Sequence, residues 1–462
     1  MRRGPYGRTA ALAAALGVAA ALLGIQCGRK GGPPTNLLVI TVDTLRADRL
    51  GCYGYGRPTT PNIDELAASG TRFESAFCQA PLTLPSHCSI FTSRYTPSHG
   101  SLGHAYPLDP DIETLAGILR AAGKTTAAFV SNHVLDRKFG LSRGFETYWE
   151  AHRLPLDERQ HRKEQADDPT TEAAVSWLRE HHGESFFLWV HWFHPHKPYD
   201  PPPEYVARFA GNSSGKHRWT TRELTDVWQG TREMSAEDVA GLRDRYDGEV
   251  AFSDAQVGRL LEEMKNLGIY DRTLIVFTSD HGEVLFEHHR YFGHDIMLYE
   301  PSMHIPLIIR PPEGQPAVIP DLVQSIDIGP TVLGMLGIPT DVPLEGKDLG
   351  PWMRGEEPAD TKIAICLSYP PAKKSPPIFG LRTERWKLIL NETDDGFRRE
   401  LYDLEKDPGE NENLADIHAD RAESLETYYL RWAEAIETKA RTGEPDLDPE
   451  TLENLKSLGY IQ

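Results

Sequence analysis

Two short segments place carboxylate and imidazole side chains where they could bind a divalent cation. Asp280 and His281 follow an apolar run at residues 274–277, and Asp43 follows another, Asn36–Val42. Carboxylate oxygens and imidazole nitrogens are the usual protein ligands of zinc and manganese. Taken alone, each segment is equally typical of a capped turn, in which an aspartate accepts hydrogen bonds from the start of the next helix.

A third segment is rich in histidine. Residues 191–196 read His-Trp-Phe-His-Pro-His and follow a further apolar run that starts at Phe186. Three histidines in so short a stretch are rarely core filling, because a buried imidazole needs hydrogen-bond partners. The pattern favours a functional role for His196, whereas His191 and His194 are as consistent with packing as with function.

The three segments share a position relative to the elements that must hold them. Apolar runs rich in β-branched and aromatic residues predict strands that are buried on both faces, at residues 36–42, 125–130, 186–191, 274–277 and 305–309. Helical periodicity lies between these runs, at residues 62–68, 112–122, 170–180 and 244–267. This alternation predicts an α/β fold with a central, largely parallel sheet. Sites in such sheets lie beyond the carboxyl ends of the strands, so we expect the three segments to converge at one edge.

The remaining sequence predicts an insertion and a smaller C-terminal unit. Residues 201–240 are rich in proline and charge, which predicts an irregular surface insertion that could border a pocket. From about residue 360 the pattern changes to antiparallel strands at 381–390 and 400–402, followed by a helix at 419–438. We therefore expect one large domain over residues 35–350 and an α+β subdomain over residues 360–462.

Composition limits the partners of the chain and its cellular location. The 462 residues carry a formal net charge of −19, which disfavours nucleic acid as a partner because phosphate binding needs a basic face. Residues 1–27 have the pattern of an export signal, with arginines before an apolar run that ends near Cys27. We expect a periplasmic or cell-envelope protein. Three alternatives are open: lipidation at Cys27 with membrane attachment there, secretion, or retention by an uncleaved leader. An exported chain also permits disulfides among Cys52, Cys78, Cys88 and Cys366. The sequence favours no particular pairing.

Residues 83–94 carry a resemblance to a known family. They read Thr-Leu-Pro-Ser-His-Cys-Ser-Ile-Phe-Thr-Ser-Arg. This is similar to the sulfatase signature, in which a Cys or Ser that is oxidised to formylglycine precedes x-Pro-Ser-Arg and a later Thr-Gly-Arg. Further similarity lies at residues 36–43, 246–268, 278–283, 298–300, 306–308 and 401–408. The resemblance implies the alkaline-phosphatase-like fold, a mixed sheet between helix layers with a small C-terminal sheet and helix.

Position by position, the resemblance implies a metal site. Asp43, Asp280 and His281 match the family's metal ligands, and Thr44 stands where the family has a second Asp. His281 replaces the Asn that is common in calcium-dependent members. Because imidazole favours softer cations, whereas Ca²⁺ prefers oxygen ligands, we expect Zn²⁺ or Mn²⁺ rather than Ca²⁺.

The catalytic groups depart further from the family. Thr83 stands in place of the formylglycine precursor, His87 replaces the signature Arg, and the family's two lysines fall near Ser131 and at Asp295. These losses disfavour a formylglycine mechanism. A Thr nucleophile beside this metal site resembles instead the nucleotide pyrophosphatases and phosphoethanolamine transferases. In such an arrangement a metal would lower the pKa of the Thr hydroxyl for in-line attack. The candidate donors to the ester oxygens are His87, His196 and His294.

The sequence thus predicts a metal-dependent hydrolase of sulfate or phosphate esters with Thr83 as its nucleophile. Its substrate would be a small-molecule, glycan or lipid ester, and the phosphoester is favoured on mechanistic grounds. One alternative is a phospho- or phosphoethanolamine-type transferase that acts on envelope lipids or glycans. The other is a catalytically inactive binding protein, against which the retained carboxylates and imidazole argue.

Overall fold

The computed structural model describes residues 1, 35–155, 168–209, 217–289, 291–294, 296–356, 363–369 and 376–436. The predictions for the export signal, Cys27 and Asp295 lie outside these residues. Within the described ranges, no helix combines the length and the apolar character needed to cross a membrane.

Strands form three sheets. The strands are β1 (Asn36–Val42), β2 (Thr71–Phe77), β3 (Thr125–Val130), β4 (Thr147–Glu150), β5 (Phe186–Trp192), β6 (Thr273–Ser279), β7 (Val284–Leu285), β8 (Phe292–Gly293), β9 (His304–Arg310), β10 (Ala317–Gln324), β11 (Ala364–Ser368), β12 (Ile378–Arg382), β13 (Trp386–Thr393) and β14 (Gly396–Asp403). The large sheet has eight strands in the order β10-β2-β9-β6-β1-β5-β3-β4, and β7 pairs with β8 in a separate ribbon. Only β9 runs against its neighbours, so the predicted largely parallel sheet is confirmed.

Helices cover both faces of this sheet. They span Pro61–Ser69, Thr83–Thr92, Thr96–His99, Leu115–Ala121, Pro169–His181, Pro203–Phe209, Thr221–Trp228, Ala236–Asn266, Glu300–Met303, Ile328–Leu336, Gly350–Met353 and Ala419–Ala435. Successive side chains of a strand point to opposite faces. Accordingly Leu37 and Val39 enter one hydrophobic core and Leu38 and Ile40 enter the other. This two-sided burial is why β1 reads as an uninterrupted apolar run.

The C-terminal unit is a four-stranded antiparallel sheet, β11-β12-β13-β14, with its own hydrophobic core against the helix Ala419–Ala435. The prediction of one strand over residues 381–390 is wrong. A tight turn divides this segment into β12 and β13, because Thr383 and Trp386 exchange hydrogen bonds across it.

The prediction that residues 201–240 are irregular is also wrong. Two helices lie there, and the long helix predicted to begin at residue 244 begins at Ala236. Capping boxes start the second and third of these helices, through Thr220 with Glu223 and Ser235 with Asp238. The four cysteines considered for disulfides are free thiols, and three of them are buried.

Candidate active site

Adjacent strand ends bring the predicted metal ligands together. β1 and β6 are parallel neighbours with Val42 opposite Ser279, so Asp43 and Asp280 leave the sheet side by side. Both carboxylates are fully buried. The backbone fixes the second one, because the N–H groups of Thr44 and His281 donate to Asp280 Oδ1 at 3.1 and 2.9 Å.

Each carboxylate has one oxygen that no hydrogen bond from the described residues occupies. Asp43 Oδ2 accepts a hydrogen bond of 2.6 Å from Asn132 Nδ2, but no donor among the described residues reaches Asp43 Oδ1 or Asp280 Oδ2. Burial and the charge of Asp280 hold the pKa of Asp43 well above its usual range. For Asp280 burial acts in the same direction, but the imidazoles of His281, His87 and His191 and the backbone N–H of His281 together outweigh it, and the pKa of Asp280 is lowered. Two buried carboxylates with open oxygens fit a cation, which allows both to be ionised.

His281 completes this group. Its Nδ1–H donates to the carbonyl of Gly282 at 3.0 Å, which leaves the Nε2 lone pair pointing into the site. Nε2 lies 3.4 Å from Asp280 Oδ2 and 3.4 Å from Thr83 Oγ1. Metal-binding histidines commonly donate their second N–H to a carbonyl in this way. Asp43, Asp280 and His281 offer ligand atoms within 4.8 Å of one another, so the donor set fits a divalent cation.

Thr83 is the first residue of the helix Thr83–Thr92 and is fully buried. The helix is tied to the end of β6, because Ser86 Oγ donates to the carbonyl of Asp280 at 2.6 Å. This contact explains why the Pro-Ser frame is kept while the residues around it change. The start of a helix carries a partial positive charge, which suits an anionic ester next to Thr83.

His87 lies beneath Thr83, where hydrogen bonds hold both of its ring nitrogens. Nδ1–H donates to the carbonyl of Thr83 at 2.8 Å. Thr41 Oγ1 accepts from Trp189 Nε1 at 2.9 Å, so its own hydroxyl hydrogen is directed to His87 Nε2 at 3.1 Å. Burial lowers the pKa of His87 to about 4, which keeps the imidazole neutral. These contacts tie the helix to the sheet, and donation to an ester oxygen stays a prediction.

His196 and His294 form a pair beside His281. Their Nε2 atoms lie 3.1 Å apart, and the ring centroids of His294 and His281 are separated by 4.3 Å. Each Nδ1–H donates to a backbone carbonyl, that of Pro81 for His294 and that of Lys197 for His196. Burial holds the pKa of His196 well below its usual range. His196 and His294 therefore lie in the same buried site as Thr83 and the two carboxylates.

Two polar side chains at this site were not among the predicted site residues. Asn132 orients Asp43, as described above. His191 is fully buried, with Nε2 3.6 Å from Asp43 Oδ2. In the described part of the chain neither of its ring nitrogens has a hydrogen bond. His191 lies near the end of β5, which is next to β1, and Asn132 follows β3, which is next to β5; these strand ends were the available signal. The remaining histidine of residues 191–196 is His194. Its Nδ1 atom lies 3.2 Å from Glu249 Oε1.

A second acidic cluster, Asp136, Glu150 and His152, also has metal-ligand spacing. Arginines already neutralise its carboxylates. Arg153 lies 2.8 Å from Asp136 Oδ2 and 2.9 Å from Glu150 Oε2, and Arg137 lies 2.8 Å from the same Glu150 oxygen. This cluster is consequently an ion-pair network, unlike the open carboxylates of the active site.

Fold and site together define an alkaline-phosphatase-like ester hydrolase. Residues 35–338 match the family described as Sulfatase, and residues 287–428 match that described as N-sulphoglucosamine sulphohydrolase, C-terminal. The chain therefore belongs to the sulfatase family, which consists of metal-dependent enzymes.

Similar proteins include sulfatases and a phosphonate hydrolase. Arylsulfatase K of Bos taurus is 25% identical over 85% of this chain and 80% of its own length. N-acetylglucosamine-6-O-sulfatase of Bacteroides thetaiotaomicron is 26% identical, over 82% of each chain. The crystal structure of phosphonate monoester hydrolase of Agrobacterium radiobacter has a TM-score of 0.70 at 26% identity, covering 87% of this chain and 95% of that one. These similarities support a hydrolase of sulfate or phosphate esters.

Proposed function

We propose that this chain hydrolyses sulfate or phosphate esters through a covalent intermediate on Thr83. Asp43, Asp280 and His281 would hold the divalent cation. The observation that carries the proposal is the 3.4 Å approach of Thr83 Oγ1 to His281 Nε2, beside two carboxylates with open oxygens. When bound, the cation would neutralise charge on the ester and lower the pKa of the attacking hydroxyl.

Thr83 is positioned for attack without any prior oxidation. The bond from Ser86 to the Asp280 carbonyl and the bonds of His87 hold the start of its helix against the sheet. In the first step the Thr83 hydroxyl gives its proton to water, its oxygen forms a bond to sulfur or phosphorus, and the bond from that atom to the leaving oxygen breaks. Water then attacks the same atom, which releases sulfate or phosphate and restores the hydroxyl.

The histidine pair would protonate the leaving oxygen. Because both Nδ1–H groups donate to carbonyls, two neutral rings would point their Nε2 lone pairs at each other across 3.1 Å. One proton between His196 and His294 removes this repulsion. Donated to the leaving oxygen, that proton balances the charge that develops when the ester bond breaks.

The chemistry of the site favours phosphoesters and a soft cation. Thr83 and His87 replace the formylglycine precursor and the arginine of the sulfatase signature, so the groups of a formylglycine mechanism are missing. The imidazole ligand His281 favours Zn²⁺ or Mn²⁺ over Ca²⁺. Because similar proteins act on phosphonates and on a sulfated amino sugar, a small-molecule or glycan ester is the favoured substrate class.

The location and division of the chain remain parts of the same proposal. The leader at residues 1–27 supports export to the periplasm or cell envelope. The separate four-stranded sheet of the C-terminal region supports a catalytic domain over residues 35–350 followed by a subdomain over residues 360–462.

A panel of chromogenic esters tests the proposed activity. Protein loaded with Zn²⁺, Mn²⁺ or Ca²⁺ is assayed with an aryl phosphate, a bis-aryl phosphate, an aryl phosphonate and an aryl sulfate. We expect turnover with Zn²⁺ or Mn²⁺, fastest on a phosphorus ester. Turnover of the sulfate alone would contradict the preference for phosphorus. Cation binding without turnover of any ester would favour the non-enzymatic alternative.

A further inference from the structure

Three side chains lie on the outer side of the His196–His294 pair. Tyr291 connects them to it, because its hydroxyl donates to the carbonyl of His294 at 2.7 Å. The Nζ atom of Lys197 lies 5.4 Å from the centroid of the Tyr291 ring. The ring of Trp228 packs edge-on against the same tyrosine, with the ring centroids 5.6 Å apart. We call Lys197, Tyr291 and Trp228 the outer subsite.

Lys197 adds an ammonium group next to the His196–His294 pair. It directly follows His196 and is partly buried. In the described part of the chain no carboxylate lies within 4.0 Å of its Nζ. Gly293 makes room for it, since a Cβ at that position would lie 2.4 Å from Nζ. The backbone at Gly293 also has a φ of 143°, which favours glycine.

Trp228 adds an accessible aromatic surface. It ends the helix Thr221–Trp228, whose buried side chains are Leu224 and Val227. The tryptophan itself is 37% exposed, unlike the large aromatic side chains of the sheet core. Through its contact with Tyr291, the exposed ring is linked to the His294 backbone, and aromatic side chains commonly line ligand sites. An aromatic face next to an ammonium group suits a flat or ring-shaped ligand that carries negative charge.

We propose that the outer subsite binds the leaving group of the ester, a six-membered ring that bears an anionic substituent. Lys197 would bind the anion and Trp228 would pack against the ring, with Tyr291 between them. This assignment rests on the proposed function, because the position of the leaving group follows from the proton donors His196 and His294. The ring could be an aryl group or a pyranose, since each is a six-membered ring with an apolar face that can carry an anionic substituent.

Paired substrates test the charge preference. Turnover of 3-carboxy-4-nitrophenyl phosphate is compared with that of 4-nitrophenyl phosphate. We expect kcat/KM to favour the carboxylated ester by about 10-fold, as a charge-assisted contact would give. Lys197→Met should abolish the preference for the carboxylated ester through KM, and Lys197→Arg should restore part of it. Equal kcat/KM for both esters in the wild type would overturn the role of Lys197.

Binding of free ligands separates a failure of the outer subsite from a failure of the proposed function. Calorimetry compares methyl glucuronide with methyl glucoside, and 3-carboxy-4-nitrophenol with 4-nitrophenol, which distinguishes a pyranose from an aryl ligand without any ester cleavage. In at least one pair we expect tighter binding of the anionic ring, weakened about 5-fold or more by Trp228→Ala. Tyr428→Ala is the matched control, since Tyr428 is 46% exposed on the C-terminal helix. If no ester is cleaved but this pattern holds, the outer subsite is a binding site for an anionic ring, and both the hydrolase proposal and the leaving-group assignment fail. If neither anionic ligand binds more tightly than its neutral partner, the outer subsite is wrong even when esters are cleaved.

Discussion

Replacing Asp43 with asparagine should stabilise the cation-free protein and destabilise the cation-loaded protein relative to wild type. Asp43 is fully buried next to Asp280, and no donor among the described residues reaches its Oδ1. In Asp43→Asn the amide oxygen can still accept the hydrogen bond from Asn132. The new NH₂ group would occupy the place of Oδ1 and could donate toward Asp280 Oδ2, so a repulsive pair becomes an attractive one.

The expected size of the effect follows from these contacts. An unsatisfied buried acceptor costs about 1–3 kcal/mol, so Asp43→Asn should gain about that much in chelator. A cation that binds only the folded state adds about 4 kcal/mol at a concentration 1,000 times its Kd. An amide is a weaker ligand than a carboxylate, and the variant should lose most of this gain. The order of stability should therefore reverse between chelator and saturating Zn²⁺ or Mn²⁺.

Urea unfolding followed by circular dichroism, with EDTA and with saturating cation, measures both free energies of unfolding. Asp136→Asn is the matched control, because Asp136 is already paired with Arg153 at 2.8 Å. The control should be less stable than wild type under both conditions, and the cation should stabilise it as much as it stabilises wild type. Lower stability of Asp43→Asn in EDTA would refute the reasoning about uncompensated charge. An equal gain from the cation in wild type and Asp43→Asn would show that Asp43 is not a ligand.

Two further predictions concern metal choice and folding. His281→Asn should shift the binding preference from Zn²⁺ toward Ca²⁺, because an amide oxygen replaces an imidazole nitrogen. Competition calorimetry with both cations measures this preference. An unchanged order of affinity would show that His281 is not a ligand. Lys387→Met should cost about 3–5 kcal/mol in unfolding free energy, since buried Lys387 lies 3.2 Å from Glu300 and 2.9 Å from Glu410. Its loss leaves Glu410 without this cation, whereas Glu300 keeps Arg382 at 3.3 Å. Adding Glu410→Gln should recover part of this loss in urea unfolding, whereas additive effects of the two changes would contradict the coupling.

The central strands could be predicted from sequence because both of their faces are buried. β1 is apolar without interruption for this reason, and its predicted bounds are those observed. β2 could not be found in the same way. It reads Thr-Arg-Phe-Glu-Ser-Ala-Phe, and its partly exposed Arg72 pairs with the exposed Glu74 on one face. A search for apolar runs does not detect a strand that carries charges on its solvent-facing side.

The predictable part of the site is the part that follows from strand ends. Asp43 and Asp280 each end an apolar run, and parallel neighbours bring such ends together. The position of His191 depends instead on the pairing of β1 with β5, which sets it opposite Thr41. The hydrogen bond between His87 Nε2 and Thr41 likewise depends on tertiary packing that the motif alone does not show. Long-range register, rather than local pattern, was the missing information.

The helices of the insertion were missed although their capping signals were present. Thr220 with Glu223 and Ser235 with Asp238 are typical capping boxes, three residues apart in each case. The surrounding prolines and charges outweighed these signals in the prediction of an irregular segment. This insertion supplies Trp228. The prediction was therefore wrong about a helix, Thr221–Trp228, that contributes to the outer subsite.

Turnover by Thr83→Ala is the most direct test of the central claim. The variant is loaded with the cation that supports the fastest wild-type reaction, and its metal content is measured alongside kcat/KM. We predict a loss of at least about 10³-fold in kcat/KM with the cation still bound, because the nucleophile is gone while Asp43, Asp280 and His281 remain. Wild-type kcat/KM in metal-loaded Thr83→Ala would contradict the account and exclude Thr83 as the nucleophile.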